Sequence, residues 1–268
     1  MKISKMYVWL SWLAGFLAAV VSLLGIINPK TYSQETTNWA LQAIAQDYIN
    51  LFFVVPLLLI TGFYVQKKSL RAFLVWLGLL LYLIYSYVLY AFFIHFGSLF
   101  LVYVAVLGLS FYSFLGSLIG LDWQIIGRNF VNVPVKAASR LLLIIGIMFY
   151  ALWASDIIRA LISGRLPQDV DKIGLFVNPI QVLDMAFLLP GAIIVSHLLR
   201  QKNALGQILT VPFLTFFITM GAAIISIMIV LSQGGFTLPW PQMIMMGIII
   251  MISSFVAFRF LKNLNSTI

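Results

Sequence analysis

The sequence predicts an all-α protein, a polytopic transmembrane bundle of eight helices with both termini cytoplasmic. Three observations carry this. Of 268 residues, 63% are hydrophobic and 9% charged, against about 25% charged in a soluble domain, and mean hydropathy is +1.08. Apolar runs recur, each long enough to cross ~30 Å of hydrocarbon at about 1.5 Å per residue. Basic residues collect in alternate connections between those runs. Lipid is therefore the expected solvent for most of the chain.

In order, the first span is expected at residues 7–27, longer than a signal-peptide core and without its cleavage pattern, hence uncleaved. Residues 28–45 read as a polar loop carrying Glu35, with 39–45 as a short interfacial helix. The second span covers 47–65 and is interrupted by Pro56. A tight basic turn, Gln66-Lys67-Lys68-Ser69-Leu70-Arg71, leads to the third span at 72–94, which is rich in Tyr. Residues 95–98 turn the chain into the fourth, 99–119. Residues 120–139 form the longest cytoplasmic loop. The fifth span, 140–161, carries Asp156 and Arg159, and a polar loop at 163–177 follows. The sixth, 178–199, is followed by a second basic turn. The seventh, 208–231, contains Pro212, and the eighth covers 242–261.

With the N-terminus inside, Lys2, Lys5, Lys67, Lys68, Arg71, Arg128, Lys136, Arg140, Arg200, Lys202, Arg259 and Lys262 are cytoplasmic. Only Lys30, Arg159, Arg165 and Lys172 fall outside. The net charge of +9 is thus a loop signal rather than a nucleic-acid signal. The Asn265-Ser266-Thr267 sequon is cytoplasmic and unused in this topology. The absence of cysteine excludes disulfides, thiolate metal sites and Cys nucleophiles. Two histidines are too few for a His-only metal site, and no lysine inside a span is available for a Schiff base. No metalloprotease, nucleophile-elbow, phosphate-loop or dinucleotide motif occurs. No metal site and no cofactor are indicated.

An internal repeat is suggested. Asp47 and Asp184 lie 137 residues apart, each at the start of a span that holds a deeper proline, Pro56 or Pro190, and ends in a basic turn. Two parallel four-helix halves, 1–119 and 140–268, joined by the 120–139 linker, would make the two acids equivalent across a central axis.

Intramembrane acids usually face a bundle interior and mark a site. Asn178 is placed to cap the sixth span, with Pro179 at its first position and Gln181 where a capping box takes it. Asp184 lies past the first turn, beyond the reach of the helix dipole, and shares a face with Gln181. Gln46, Asp47 and Asn50 make a denser polar start than capping needs. Asp156 and Arg159, at i,i+3, are expected to pair, with Asp184 or Asp47 as alternative partners for Arg159. His95 is a turn residue that could turn inward as a proton acceptor. The third-span tyrosines read as packing or interface anchors, with Tyr87 and Tyr90 at a cavity wall. Candidate ligand-binding residues are therefore Asp47, Asn50, Asp156, Arg159, Gln181, Asp184, Tyr87, Tyr90 and His95.

The signatures Gln46-Asp47-x-x-Asn50-Leu51 with Pro56, and Asn178-Pro179-x-x-Val182-Leu183-Asp184 with Pro190, resemble a group of uncharacterised bacterial polytopic membrane proteins. That resemblance covers most of the chain and implies a prokaryotic cytoplasmic membrane, with no chemistry attached. The chain differs from seven-span zinc hydrolases such as alkaline ceramidases, which need three histidines. The leading expectation is a pocket on the outer side, lined by Asp47, Asp156, Arg159 and Asp184, that binds or transports a small polar or cationic solute, with proton coupling an option. A membrane-embedded enzyme acting on lipid or lipid-linked substrates, and an accessory subunit, stay open as alternatives.

Overall fold

The computed structural model describes residues 4–122, 127–130 and 132–264. Eight helices are long and apolar enough to cross a membrane: Lys5–Ile27, Thr37–Gln66, Leu70–Phe93, Phe100–Ile119, Val135–Ser163, Pro179–Arg200, Ala204–Gln233 and Trp240–Lys262, the first to eighth spans below. The described residues contain no strand. Large apolar side chains such as Phe52, Phe187 and Phe255 are exposed on the outside of the bundle, an arrangement that lipid tolerates and water does not. The Asn265-Ser266-Thr267 sequon, Lys2 and the side chain of Arg128 lie outside the described residues.

The third span is the central helix. Within its most apolar stretch 67% of residues are buried, against 17–39% in the other seven. Its four tyrosines, Tyr82, Tyr85, Tyr87 and Tyr90, are all buried, which makes them packing residues rather than interface anchors. Close approach comes from small residues. A Cβ at Gly78 would lie 2.5 Å from Thr215 Cβ and 2.8 Å from the Pro212 carbonyl oxygen, so the third and seventh spans pack nearly backbone to backbone there. Trp76 Nε1–H donates to Ser11 Oγ at 3.1 Å, tying the first span to the core.

The second span departs from expectation. Residues 37–46 are not a loop with a separate interfacial helix; one helix runs from Thr37 to Gln66. Thr36 caps it, its hydroxyl accepting from Trp39 N–H at 3.3 Å. Trp39, Ala43, Gln46, Asp47 and Asn50 are buried at helical spacing. Their polarity marks an inward face instead of a helix end. Asp47 is consequently ten residues inside the helix, not at its start.

Two departures from α geometry recur. Asn50–Val54 and Asp184–Leu188 are π-helical, a feature that often accompanies function. Asn50 N–H reaches the Gln46 and Asp47 carbonyls; Asp184 N–H reaches those of Ile180 and Gln181. Val55 N–H donates to Asn50 O, and Leu189 N–H to Asp184 O. Pro56 and Pro190 follow, so neither proline breaks its span; the π turn absorbs the missing N–H. Each span then ends in a turn residue of positive φ, Lys68 at 63° or Lys202 at 55°. A capping Ser69 or Asn203 opens the next helix. These landmarks recur at 134 residues, not at the 137 that separates the acids.

Contacts between connections define two ends. At one, Arg71 Nη2 donates to the Leu264 carbonyl at 3.3 Å. At the other, called the acidic end, the Thr36 hydroxyl donates to the Ile173 carbonyl at 3.0 Å, docking the short helix Gln168–Ile173.

Candidate functional site: two carboxylate centres on the third span

Asp47 is 1% exposed. Tyr32 Oη donates to its Oδ2 at 2.6 Å. Tyr90 Oη lies 2.9 Å from its Oδ1 and 3.1 Å from the Ala43 carbonyl, with one proton to share between them. Gly25 of the first span makes room: a Cβ there would overlap Asp47 Oδ2 and sit 2.7 Å from Tyr32 Oη. Burial, then the Asp47 charge, holds the Tyr32 hydroxyl well above the usual phenol pKa, so it stays a donor. Beside it, Gln46 Nε2 donates to Ser86 Oγ at 2.6 Å. No Lys, Arg or His among the described residues forms a salt bridge with Asp47.

The surroundings carry polar groups left without hydrogen bonds. Ser22 Oγ, both amide atoms of Asn50, Tyr82 Oη and Tyr87 Oη are buried with no partner among the described residues. Ser22, one turn before Gly25, faces Asp47 and Tyr87. Asn50 is one turn beyond Asp47 and 0% exposed. Each unsatisfied buried polar group costs about 1–3 kcal/mol. So many around one carboxylate mark a place shaped for something other than packing.

A polar pocket of about 370 Å³ opens at the acidic end, lined by Asn28, Lys30, Thr31, Glu35, His95 and Tyr103 among others. Its wall interleaves with the Asp47 cage. Leu24 lines it and Gly25 touches Asp47; Thr31 lines it and Tyr32 binds Asp47. The Tyr103 ring lies 5.2 Å from that of Tyr90. A phenol that lines the pocket is thus packed against one that binds the carboxylate.

Asp184 forms the second centre. Tyr85 Oη donates to its Oδ1 at 2.9 Å, and Trp153 Nε1–H to its Oδ2 at 2.9 Å. Tyr85 and Tyr90, five residues apart, point about 140° from one another around the third span, so that helix serves the two acids from different sides. Tyr85 also lines an apolar groove of about 610 Å³ with Leu81, Leu107, Phe111, Phe187 and Phe216.

The remaining expectations fare unevenly. Asn178 caps the sixth span, accepting from Ile180 N–H at 3.0 Å. Gln181 closes no capping box; its Nε2 reaches Asp156 Oδ2 at 3.4 Å. Asp156 and Arg159 do not pair: Arg159 is exposed and forms no salt bridge among the described residues, nor does it reach Asp184 or Asp47. At the wet end of a span, solvation holds its guanidinium better than a half-buried acid does. His95 stays at the surface, 56% exposed, with Nδ1 2.9 Å from Glu35 Oε1, whose side chain is only 2% exposed. It lines the pocket beside Glu35 and reaches none of the three acids within the spans. Asp47 and Asp184 thus sit in separate cages, with Asp156 near the second. Tyr32, Ser22, Glu35, Trp153 and Tyr85 escaped sequence reasoning; their only signal was polarity or a ring N–H, and their roles come from tertiary contact.

The chain matches no protein-family model, no curated protein and no solved structure.

Proposed function

We propose that this integral membrane protein binds and translocates a small polar or cationic solute, admitted from the acidic end through the polar pocket to Asp47. The observation that carries the reading is a buried carboxylate held only by phenols beneath a polar pocket, with unpaired polar groups around it. A lone charge at that depth costs roughly 2.5–3.5 kcal/mol on insertion scales and is normally kept for a task. A positively charged guest would offset it. The strong bias of Lys and Arg supports cytoplasmic termini with the acidic end outside, and the resemblance to bacterial polytopic proteins supports a prokaryotic plasma membrane.

The same reading includes two repeated four-helix halves. Their register is 134, which makes Asp47 the counterpart of Gln181 and Asn50 the counterpart of Asp184. Pseudo-equivalent residues then meet at the centre: Tyr82 and Phe216, 134 apart, have ring centroids 6.3 Å apart. The acid has exchanged places between the two positions of one helical turn. Alternating access by rocking of such halves is a familiar use of this symmetry.

A second reading, an enzyme or carrier for a membrane amphiphile, is favoured only by the apolar groove beside Tyr85 and Asp184. A thermal-stability panel on purified protein separates the two. Small cations, amino acids and polyols are compared with short-chain lipids, for wild type, Asp47→Asn and Asp184→Asn. A small solute that stabilises wild type but not Asp47→Asn supports the first reading. Stabilisation by lipids alone, lost in Asp184→Asn, rejects it.

A further inference from the structure

We infer that the Asp47 cage is a binding site for a monovalent metal cation, sodium, with Asp47, Asn50 and Ser22 as its side-chain ligands. The inference rests on the proposed function and names the ion that its deeper site would take.

Protonating Asp47 would neutralise the charge, yet both amide atoms of Asn50 would remain without partners, and Ser22 Oγ and Tyr87 Oη, though within reach of one another, form no well-aligned hydrogen bond. A hard cation takes several oxygen ligands at once, and the groups left over here are oxygen-bearing: a carboxamide, an aliphatic hydroxyl and a phenol. They come from three spans. Ser22 and Gly25 share a face of the first span by i,i+3 spacing, as do Asp47 and Asn50 in the second; Tyr87 and Tyr90 come from the third.

Charge decides the valence. The cage holds one carboxylate and no other acid bonded to it; the described residues contain no group of three His, Cys, Asp or Glu suited to a divalent metal. One positive charge balances one negative charge, whereas a divalent ion would leave a net charge buried in hydrocarbon. The cage is tight on its first-span side, where Gly25 leaves no room for even a methyl group beside Asp47 Oδ2, and sodium is the smaller of the two common alkali ions.

The test measures thermal unfolding and equilibrium ²²Na⁺ binding on the purified full-length protein, in sodium, potassium or choline chloride at equal ionic strength. Wild type should be stabilised by sodium, less by potassium and not by choline. Asp47→Asn should abolish the response. Asn50→Leu and Ser22→Ala should each weaken sodium binding at least tenfold. Their midpoints in choline should be no lower than wild type, because each removes an unpaired buried group; a merely structural role would lower those midpoints and leave sodium affinity alone. Equal midpoints in sodium and choline, or unchanged sodium binding in Asn50→Leu, overturn the assignment. If sodium fails while another solute still binds through Asp47, the ion assignment falls and the proposed function stands. If nothing binds through Asp47, both fall.

Discussion

Gly25→Ala is the sharpest probe of the Asp47 cage. The new Cβ would overlap Asp47 Oδ2 and approach Asp47 Cγ to 2.9 Å and Tyr32 Oη to 2.7 Å. Something must move. Either the 2.6 Å Tyr32–Asp47 hydrogen bond opens, losing about 1.5–3 kcal/mol for a bond to a charged group, or the first and second spans part, at about 1–3 kcal/mol for overpacking. A net loss of about 3 kcal/mol lowers the unfolding midpoint by roughly 6–12 °C in a chain of this size. The control is Gly247→Ala in the eighth span, where a Cβ meets nothing within 4 Å. That change should be neutral or stabilising by about 0.5–1 kcal/mol, because alanine favours helix. The assay is thermal unfolding of both variants in one detergent. If Gly25→Ala melts with or above Gly247→Ala, the cage as described is wrong.

Other outcomes follow from the same contacts. Trp153→Phe removes the indole donor to Asp184 and should cost about 1.5–3 kcal/mol, measured by thermal unfolding. Arg159→Ala should stay within about 0.5 kcal/mol of wild type, as expected of an exposed side chain without a partner; a loss of several kcal/mol would restore the Asp156–Arg159 pair. Because folding raises the Tyr32 pKa, its contribution is intact below about pH 10 and declines as pH rises further. Alkaline midpoints should therefore fall less steeply in Tyr32→Phe than in wild type. Gly78→Ala should cost about 1–3 kcal/mol through overpacking, because its Cβ would lie 2.5 Å from Thr215 Cβ and 2.8 Å from the Pro212 carbonyl oxygen. A thermal midpoint equal to wild type would displace the seventh span from the third.

The eight spans were legible because each is an apolar run longer than any loop can imitate, and their ends shifted by only a few residues at most boundaries. The exceptions are two starts: the second span begins at Thr37 rather than at 47, and the fifth at Val135 rather than at 140, where Lys136 and Arg140 lie on the helix, their stems reaching toward water. The depth of Asp47 was not legible. Thr37 and Asn38 read as loop, Gln42 as part of a separate interfacial helix and Gln46 as a polar span start, yet Gln46, Asp47 and Asn50 form a buried face well inside one helix, which composition alone does not distinguish. The i,i+3 spacing placed Gln181 and Asp184 on one face but could not say that Asp184 would find Trp153 and Tyr85 on two other spans. Prolines and basic turns recur along the sequence, and the π turns, which leave no mark in sequence, recur with them at a spacing of 134 residues. The two acids, the most conspicuous landmarks, suggested 137 because they are not equivalent positions in that recurrence.

The account turns on Asp47 being a carboxylate that solutes reach from the acidic end. A water-soluble carbodiimide with an amine nucleophile, applied to protein in sealed vesicles of known orientation and read by peptide mass spectrometry, measures this directly. The account predicts that Asp47 is modified from that side, faster in Tyr103→Ala, and protected by whichever cation or solute stabilises wild type. An Asp47 that stays unmodified in Tyr103→Ala, or is modified equally with and without that solute, contradicts it.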